Sequence, residues 1–428
     1  MGSDLPAGAT SDDITGPGGA RGRQGGLGES AHMFQTGTFW LLLPCCVAAY
    51  WAIPVRMRMA FLALVSIGYV AWLSPSNALA LLGWSLLFYW LAPAARSQHK
   101  RRWVLWALIL GILGYLAVFK CLKPILNLAL PGAGASTYLI PLGISYFTFK
   151  FIHYAVEVAR GNIKDRSPAQ FLAYIFLFPT FTAGPIERFD HFLANQKTCL
   201  TLDLFTQGLT RLIHGMIKKF VVAEMFLGET FRYANSGHLL ARLSSTPPHR
   251  VWWLGVVSYL YVYMDFAGYS DMAIGASRLL GLGIMENFDA PILATNIGVF
   301  WKRWHMTLTG WCQSYVYMPV LGLTRKPNLA TYAAFVVIGL WHAASWPWLF
   351  WGVYHGSGIV VYGAWTRLKR RKKWTWMDQG RRKYASAALG IVATTLFIAA
   401  GELITFGGLQ TGHDTLRVIA KLAFIKIK

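Results

Sequence analysis

The stretch Val337-Ile338-Gly339-Leu340-Trp341-His342-Ala343-Ala344-Ser345-Trp346-Pro347-Trp348-Leu349-Phe350-Trp351 is apolar almost throughout and carries one histidine at its centre. A segment of this composition belongs in hydrocarbon. An ionisable side chain is costly there, so it faces the protein interior or a water-filled path and marks a functional site by default. His342 is therefore the first candidate site residue, and the rest of the chain has to give it a role.

Outward from this stretch the composition stays apolar: hydrophobic residues make up 55% of the 428, charged residues 14%, and the mean hydropathy is +0.41. This is the composition of a polytopic membrane protein rather than of soluble domains. A net charge of +22 would suit a nucleic-acid binder only if basic faces sat on a soluble module with a binding motif, and the sequence has none. Nucleic acid is thereby excluded as a partner. The basic residues instead punctuate apolar runs, at Arg56 and Arg58, Arg96 to Arg102, Arg160 to Arg166, Lys218-Lys219, Lys302-Arg303 and Arg367 to Lys373. The positive-inside rule places most of them at cytosolic ends of spans, where membrane lipid head groups are their secondary partners. The five cysteines, Cys45, Cys46, Cys121, Cys199 and Cys312, form no Cys-x-x-Cys pair and no metal-type spacing with histidine. Neither a disulfide framework nor a metal site is expected, and Cys312 lacks an activating context for a nucleophile.

Residues 1–33 are rich in Gly, Ala, Ser and Asp without apolar periodicity and read as a disordered N-terminal tail; residues 34–428 read as a single membrane domain. Arg21 and Arg23 ahead of the run from Phe39 to Ile53 would fit a signal peptide, but the many later spans favour a retained first helix, and Met33 is an alternative start. A span needs about 20 mainly apolar residues. Segments of this kind lie near 39–55, 59–74, 78–95, 103–119, 138–156, 170–186, 207–227, 251–267, 329–345, 347–365 and 385–406. Several are short or broken by Gly and Pro, which predicts re-entrant or tilted helices around a polar interior. Alternation of the basic clusters puts Arg56, Arg58, Arg96 to Arg102 and Arg160 to Arg166 inside, with Ser74 to Asn77 and Pro131 to Ser136 outside. No inverted repeat is visible, which counts against a transporter.

Three further clusters carry polar groups. Asn296-Ile297-Gly298-Val299-Phe300-Trp301-Lys302-Arg303-Trp304-His305-Met306 sets a histidine beside a basic pair flanked by tryptophans, which is also the pattern of an interfacial belt. Tyr263-Met264-Asp265-Phe266-Ala267-Gly268-Tyr269-Ser270-Asp271 holds two carboxylates whose spacing corresponds to about 600° of helical turn, so they point in different directions. An acid/base pair is disfavoured, and bonds to Arg, amide or hydroxyl groups that hold helices together are expected instead. Pro141-Leu142-Gly143-Ile144-Ser145-Tyr146-Phe147-Thr148-Phe149-Lys150, with His153 and Tyr154 after it, and Phe178-Pro179 through Ala183-Gly184-Pro185-Ile186-Glu187-Arg188 signal close packing and a broken helix.

Taken in order, Pro-Leu-Gly-Ile-Ser-Tyr-Phe-Thr-Phe, Ala-Gly-Pro-Ile-Glu-Arg, Asp-Phe-Ala-Gly-Tyr-Ser-Asp, Phe-Trp-Lys-Arg-Trp-His-Met and Gly-Leu-Trp-His-Ala resemble the membrane-bound O-acyltransferase family. The similarity is to its bacterial branch of alginate O-acetyltransferases and teichoic-acid D-alanyltransferases, over about residues 34–365. The resemblance implies an all-α polytopic fold of roughly 10–12 transmembrane or re-entrant helices around a central funnel or tunnel. It places the family's histidine on His342 and a second on His305. It further implies acyl transfer, most simply of acetyl, from a cytosolic thioester to hydroxyls of an extracytoplasmic polysaccharide or to an acyltransferase- or esterase-like partner protein. The donor is expected to be acetyl-CoA, or else an acyl carrier-protein thioester, with no bound cofactor, and the location a bacterial cytoplasmic (inner) membrane. Ala343 follows the histidine where this branch often has Gly, and the segment beyond the resemblance is shorter than in many alginate-type enzymes, which leaves the acceptor class open.

In that chemistry the hydroxyl loses its proton as it attacks, a task suited to a neutral imidazole. His342 is expected as general base and His305 as orienter of substrate or oxyanion donor. Asn296, Lys302, Arg303, Trp304 and Trp341 are expected to line the substrate passage, and Leu340, Trp341 and Trp346 to form an apolar shell that keeps water from the thioester. No Gly-x-Ser-x-Gly elbow is present, so transfer without an acyl-serine is expected. D-alanyl transfer to a cell-envelope polymer and a proton-coupled transporter or flippase are the alternatives.

Overall fold

The computed structural model describes residues 30–96, 102–129, 143–235, 238–374, 379–405 and 412–423. Among these the chain is helical, with a single isolated β-bridge between Gln196 and Leu282. A 3₁₀ turn, Ser30–Gln35, leads into α1 (Gly37–Ala52), α2 (Val55–Leu73), α3 (Pro75–Leu91), α4 (Arg102–Ala129) and α5 (Ile144–Arg160). Short α6 (Pro168–Phe176) and α7 (Phe189–Ala194) bracket a broken stretch, and α8 (Leu202–Met216) runs into a π-helical segment, Ile217–Leu227, before α9 (Gly228–Asn235) and α10 (His238–Ala241). Then come α11 (Pro248–Leu279), the short α12 (Ile297–Arg303), α13 (Met306–Cys312) and α14 (Met318–Thr324), and finally α15 (Pro327–His342), α16 (Trp346–Arg371), α17 (Gly380–Ile404) and α18 (Gly412–Leu422).

Within the described residues the apolar segments read from the sequence fall on these helices; 138–142 and 406 lie outside them. Four stretches, Val55–Leu73, Pro75–Arg96, Arg102–Lys120 and Gly380–Ile404, are long and apolar enough to cross a membrane on those grounds alone. The rest are shorter, broken or polar on one face, as the Gly and Pro punctuation predicts. The break near 178 is local: Leu177 leaves the helical region at ψ 102° and Pro179 follows in a 3₁₀ turn. The start of the fold lies earlier than the composition indicates. Met33 and Phe34 sit in the Ser30–Gln35 turn, are 2% and 0% exposed, and the Phe34 ring packs on Tyr269 at 4.7 Å. A boundary at 33/34 therefore cuts through an ordered element; the residues before 30 lie outside the described ones.

Helix α11 organises the core. It runs for 32 residues, continuing past the apolar segment that ends near 267. It does so because α8 supplies both close contact and counter-charge. Gly208 and Gly215 on α8 face Gly275 and Gly268 on α11, two helical turns apart on each helix. A Cβ at Gly215 would stand 2.6 Å from the Gly268 carbonyl oxygen, and one at Gly275 would stand 2.7 Å from that of Gly208. Small residues of this kind let membrane helices approach backbone to backbone. Along the same seam Asp271 accepts from Arg211 Nε at 2.7 Å and Lys218 Nζ at 2.6 Å, while Asp265 pairs with the buried Lys219. The two carboxylates thus serve different cations and join helices, as their angular separation predicts.

Helices α15 and α16 form a tight hairpin. A Cβ at Gly339 would meet the Trp348 carbonyl oxygen at 2.2 Å. Ala343 turns extended at φ −156°, and Pro347 opens α16 at a position where no helical N–H is needed. His342 is consequently the last residue of α15.

Candidate active site

His342 is half-buried and held by aromatic rings. It stacks on Trp348 with centroids 4.4 Å apart and 17° between planes, meets Trp341 edge-on at 4.6 Å, and has Trp351 at 6.0 Å. These rings come from its own helix end and from the start of α16. The expected shell of Leu340, Trp341 and Trp346 is thereby corrected: Leu340 and Trp346 are 42% and 61% exposed and point away. Leu340 lies about 200° round α15 from His342, Trp346 belongs to α16, and it is the hairpin that brings Trp348 and Trp351 onto the imidazole. From α4, Lys120 Nζ donates to the carbonyl of Trp341 and lies 3.5 Å from that of His342, a cation on the carbonyl end of α15.

Trp341 stands between the two histidines. Its ring centroid is 4.6 Å from that of His342 and 6.4 Å from that of His305. Its Nε1 donates to the Ser145 carbonyl at 3.3 Å, and Phe149 packs on it at 5.3 Å, so α5 fixes the indole. Of the residues expected along the substrate passage, Trp341 is the one placed against both imidazoles.

His305 is 3% exposed and occupies the left-handed region at φ 43°, ψ 51°, where it caps α13. Its Nδ1 lies 2.9 Å from Asn287 Oδ1. The amide orientation follows from its other partners. Asn287 Nδ2 donates to Ser270 Oγ at 3.1 Å, and Thr307, whose oxygen accepts the Ile186 N–H at 3.0 Å, gives its own proton to Asn287 Oδ1 at 2.9 Å. An oxygen that only accepts requires His305 to carry its proton on Nδ1. In the neutral ring Nε2 is then a lone pair, and this atom is buried with no hydrogen-bond partner.

The sequence motifs converge on this loop as scaffolding. Glu187, 1% exposed, accepts the amides of Arg188 at 3.0 Å and Met285 at 2.8 Å, and so ties the Gly-Pro stretch to the segment that carries Asn287. Arg188 Nη2 donates to the Gly310 carbonyl and to Ser314 Oγ, each at 3.2 Å. Tyr269 Oη bonds Thr182 and accepts the Ala183 amide at 3.3 Å, while Ser270 holds Asn287. On α5, His153 Nε2 accepts the Phe189 amide at 3.0 Å, which leaves Nδ1–H to donate to Tyr315 Oη at 2.8 Å; Tyr315 in turn donates to Glu157 Oε1 at 2.9 Å.

The other expected contacts have local partners. Asn296 is the N-cap of α12, its Oδ1 accepting the Val299 amide at 2.9 Å. Trp304 is buried among Phe300, Phe288, Tyr259 and Tyr263, with the nearest centroids at 5.2 and 5.3 Å. Arg303 Nε lies 3.5 Å from Asp289, and Lys302 is exposed. Sequence reading missed Asn287, Lys120, Trp348 and Trp351. Only the tryptophans had a signal, as polar-edged rings one hairpin away from a histidine.

A buried imidazole lone pair and a second imidazole across one indole form a site that can hold a hydroxyl and accept its proton. The chain matches the model of the MBOAT, membrane-bound O-acyltransferase family over residues 27–398. It is 32% identical over 352 residues to "Probable alginate O-acetylase AlgI" of Azotobacter vinelandii, covering 77% of this chain and 68% of that protein. It is 30% identical over 364 residues to "Teichoic acid D-alanyltransferase" of Streptococcus thermophilus, covering 78% and 84%. Over 315 residues it is 29% identical to "Peptidoglycan O-acetyltransferase" of Helicobacter pylori, covering 65% and 58%.

Proposed function

Since the chain belongs to the membrane-bound O-acyltransferase family, we propose that it moves an acetyl group from a cytosolic thioester, acetyl-CoA, to hydroxyls of an extracytoplasmic polysaccharide at a bacterial inner membrane. The alginate and peptidoglycan O-acetylating relatives support this acceptor class. D-alanyl transfer from a carrier-protein thioester is the second reading, carried by the likeness to the teichoic acid enzyme, and a relay through an extracytoplasmic partner protein is compatible with either. As a member of a family of acyltransferases, the chain gives no further support to the transporter alternative.

In the proposed mechanism the acceptor hydroxyl oxygen bonds to the thioester carbonyl carbon, the carbon–sulfur bond breaks, and the hydroxyl proton passes to His342 and from there to the departing thiolate. His305 presents Nε2 as an acceptor. That geometry favours the orienting role over the oxyanion role, since an oxyanion needs a donor. Its partner in the complex is an amide N–H of the donor's tail, the reacting hydroxyl proton being directed to His342. Trp341, Trp348 and Trp351 exclude water that would hydrolyse the thioester. The observation that carries this reading is the unpartnered, buried Nε2 of His305 beside the indole that also packs on His342. Transfer of labelled acetyl from acetyl-CoA by purified protein in vesicles tests it: activity at the wild-type level in His342→Ala would overturn the assignment of the base.

A further inference from the structure

At the C-terminal end of α11, an open groove of about 300 Å³ against α8 is lined by Thr206, Gln207, Thr210, Arg211, His214 and Arg278. Its two arginines differ. Arg211 is committed to the carboxylates of Asp271 and Glu286. Arg278 reaches only a neutral acceptor, Gln207 Oε1 at 3.3 Å, and among the described residues it has no carboxylate partner. Asp203, one turn before Gln207 on α8, is held by the Gln207 side-chain amide at 2.7 Å. The acidic groups near the groove are thus all engaged, and one guanidinium is left over.

The same helix carries a second, independent feature. Leu202, Phe205, Leu209, Ile213 and Met216 recur at spacings of three and four, and each is exposed, from 79% at Leu202 to 36% at Met216. An apolar stripe beside a cationic face is the pattern of a helix that meets the head-group boundary. The level of the groove is marked from the other side. Trp51 Nε1 donates to the carbonyl of Leu279, next to Arg278, and the Arg58 guanidinium lies 4.6 Å over the Trp51 ring. Tryptophan and arginine at one height are the signature of the membrane–water interface.

From the guanidinium without a carboxylate partner, the groove and the stripe together, we infer a binding site for an anionic phospholipid, its phosphate on Arg278 with the Thr210 hydroxyl beside it, its acyl chains along Ile213 and Leu209, at the edge of the stripe that borders Thr210. Arginine suits phosphate because its planar fork donates two parallel hydrogen bonds. Basic pockets between membrane helices on the cytoplasmic side recognise such head groups. The site lies apart from the histidines, and its test needs no acyl donor, so it stands or falls separately from the acyltransferase mechanism.

The test uses full-length protein purified in neutral detergent and follows its thermal unfolding midpoint during titration with short-chain phosphatidylglycerol, phosphatidylcholine of the same chain length, or inorganic phosphate. Phosphatidylglycerol should raise the midpoint of the wild type, and the other two should not. Arg278→Gln should weaken the apparent affinity about tenfold or more, and Arg278→Lys should weaken it less. Thr210→Glu, which sets a carboxylate in the groove at an exposed position, gives a second route to the same loss if Arg278→Gln folds poorly. Unchanged phosphatidylglycerol affinity in both Arg278→Gln and Thr210→Glu would overturn the site. Equal response to phosphatidylcholine would reject the charge selectivity, and equal response to inorganic phosphate would reject a lipid as its source.

Discussion

His305 reaches its position by adopting φ 43°, a conformation that non-glycine residues adopt rarely, and its ring is then locked through Nδ1 to Asn287. Four predictions belong at this scale. His342→Ala should lower acetyl transfer by about 10²- to 10⁴-fold, the range for loss of a general base, read as labelled product from reconstituted protein. His305→Gln should retain more activity than His305→Ala, because a side-chain amide oxygen still accepts a hydrogen bond, and the two variants are compared by initial rate. Asn287→Leu strips the acceptor from both His305 and Thr307 and the donor from Ser270, and should cost about 1–3 kcal/mol per buried group left unpaired, measured as a fall in unfolding midpoint together with activity. His191 lies outside the membrane helices, and its bond to Glu187 at 2.7 Å raises its pKa above the ordinary value. The protonated ring is the favoured form in the fold. Its contribution is complete below about pH 6.5 and is lost as pH rises through the raised value. A midpoint-against-pH curve for His191→Gln should therefore converge on the wild type at alkaline pH and separate from it in acid. His342 was legible in the sequence because a polar group in an apolar run is conspicuous, and His305 through the resemblance of Phe-Trp-Lys-Arg-Trp-His-Met to the family. Asn287 was not, since Met285-Glu286-Asn287-Phe288 has no local pattern and becomes meaningful only when the chain folds it against Ser270 and Thr307.

Between elements, the α8–α11 seam is set by backbone contact, so added methyl groups should separate it. Gly215→Ala and Gly275→Ala each push a Cβ within 2.6 to 2.7 Å of a carbonyl oxygen or amide on the facing helix. Overpacking of this kind costs about 1–3 kcal/mol, and each variant should lower the detergent-solubilised unfolding midpoint more than Gly83→Ala, where the added methyl group meets open space. The existence of each helix was readable from apolar runs and from Gly and Pro punctuation, as was the break around Pro179. The extent of α11 was not, because its apolar run ends near 267, and the charges of Asp265 and Asp271 stay inside the helix with Lys219, Lys218 and Arg211 arriving from elsewhere in the chain. Asn296 and Arg303 have local partners for a related reason: a polar side chain beside a helix end is satisfied by the nearest backbone or carboxylate first.

For the molecule as a whole, the positive-inside rule predicts that the end carrying Arg58 faces the cytosol; Arg58 donates to the carbonyl of Thr198 at 2.7 Å, beside the exposed Cys199. In a background with Cys121→Ser and the exposed Cys45→Ser a membrane-impermeant maleimide should label Cys199 in inside-out vesicles and not in right-side-out ones; the reverse pattern would invert the orientation. Cys46 and Cys312 are buried and should stay unlabelled in both. The α8–α11 seam also has a consequence for biosynthesis. The charges on Arg211, Lys218 and Lys219 meet their carboxylates 60, 53 and 46 residues later in the chain. When residues 202–227 leave the ribosome those carboxylates have not been made, and cationic side chains alone oppose entry into hydrocarbon. A released chain truncated after residue 241 should therefore leave this segment loosely held at the membrane surface, and one extended past residue 279 should dock it against α11, so that the two helices settle as a neutralised pair rather than one after the other.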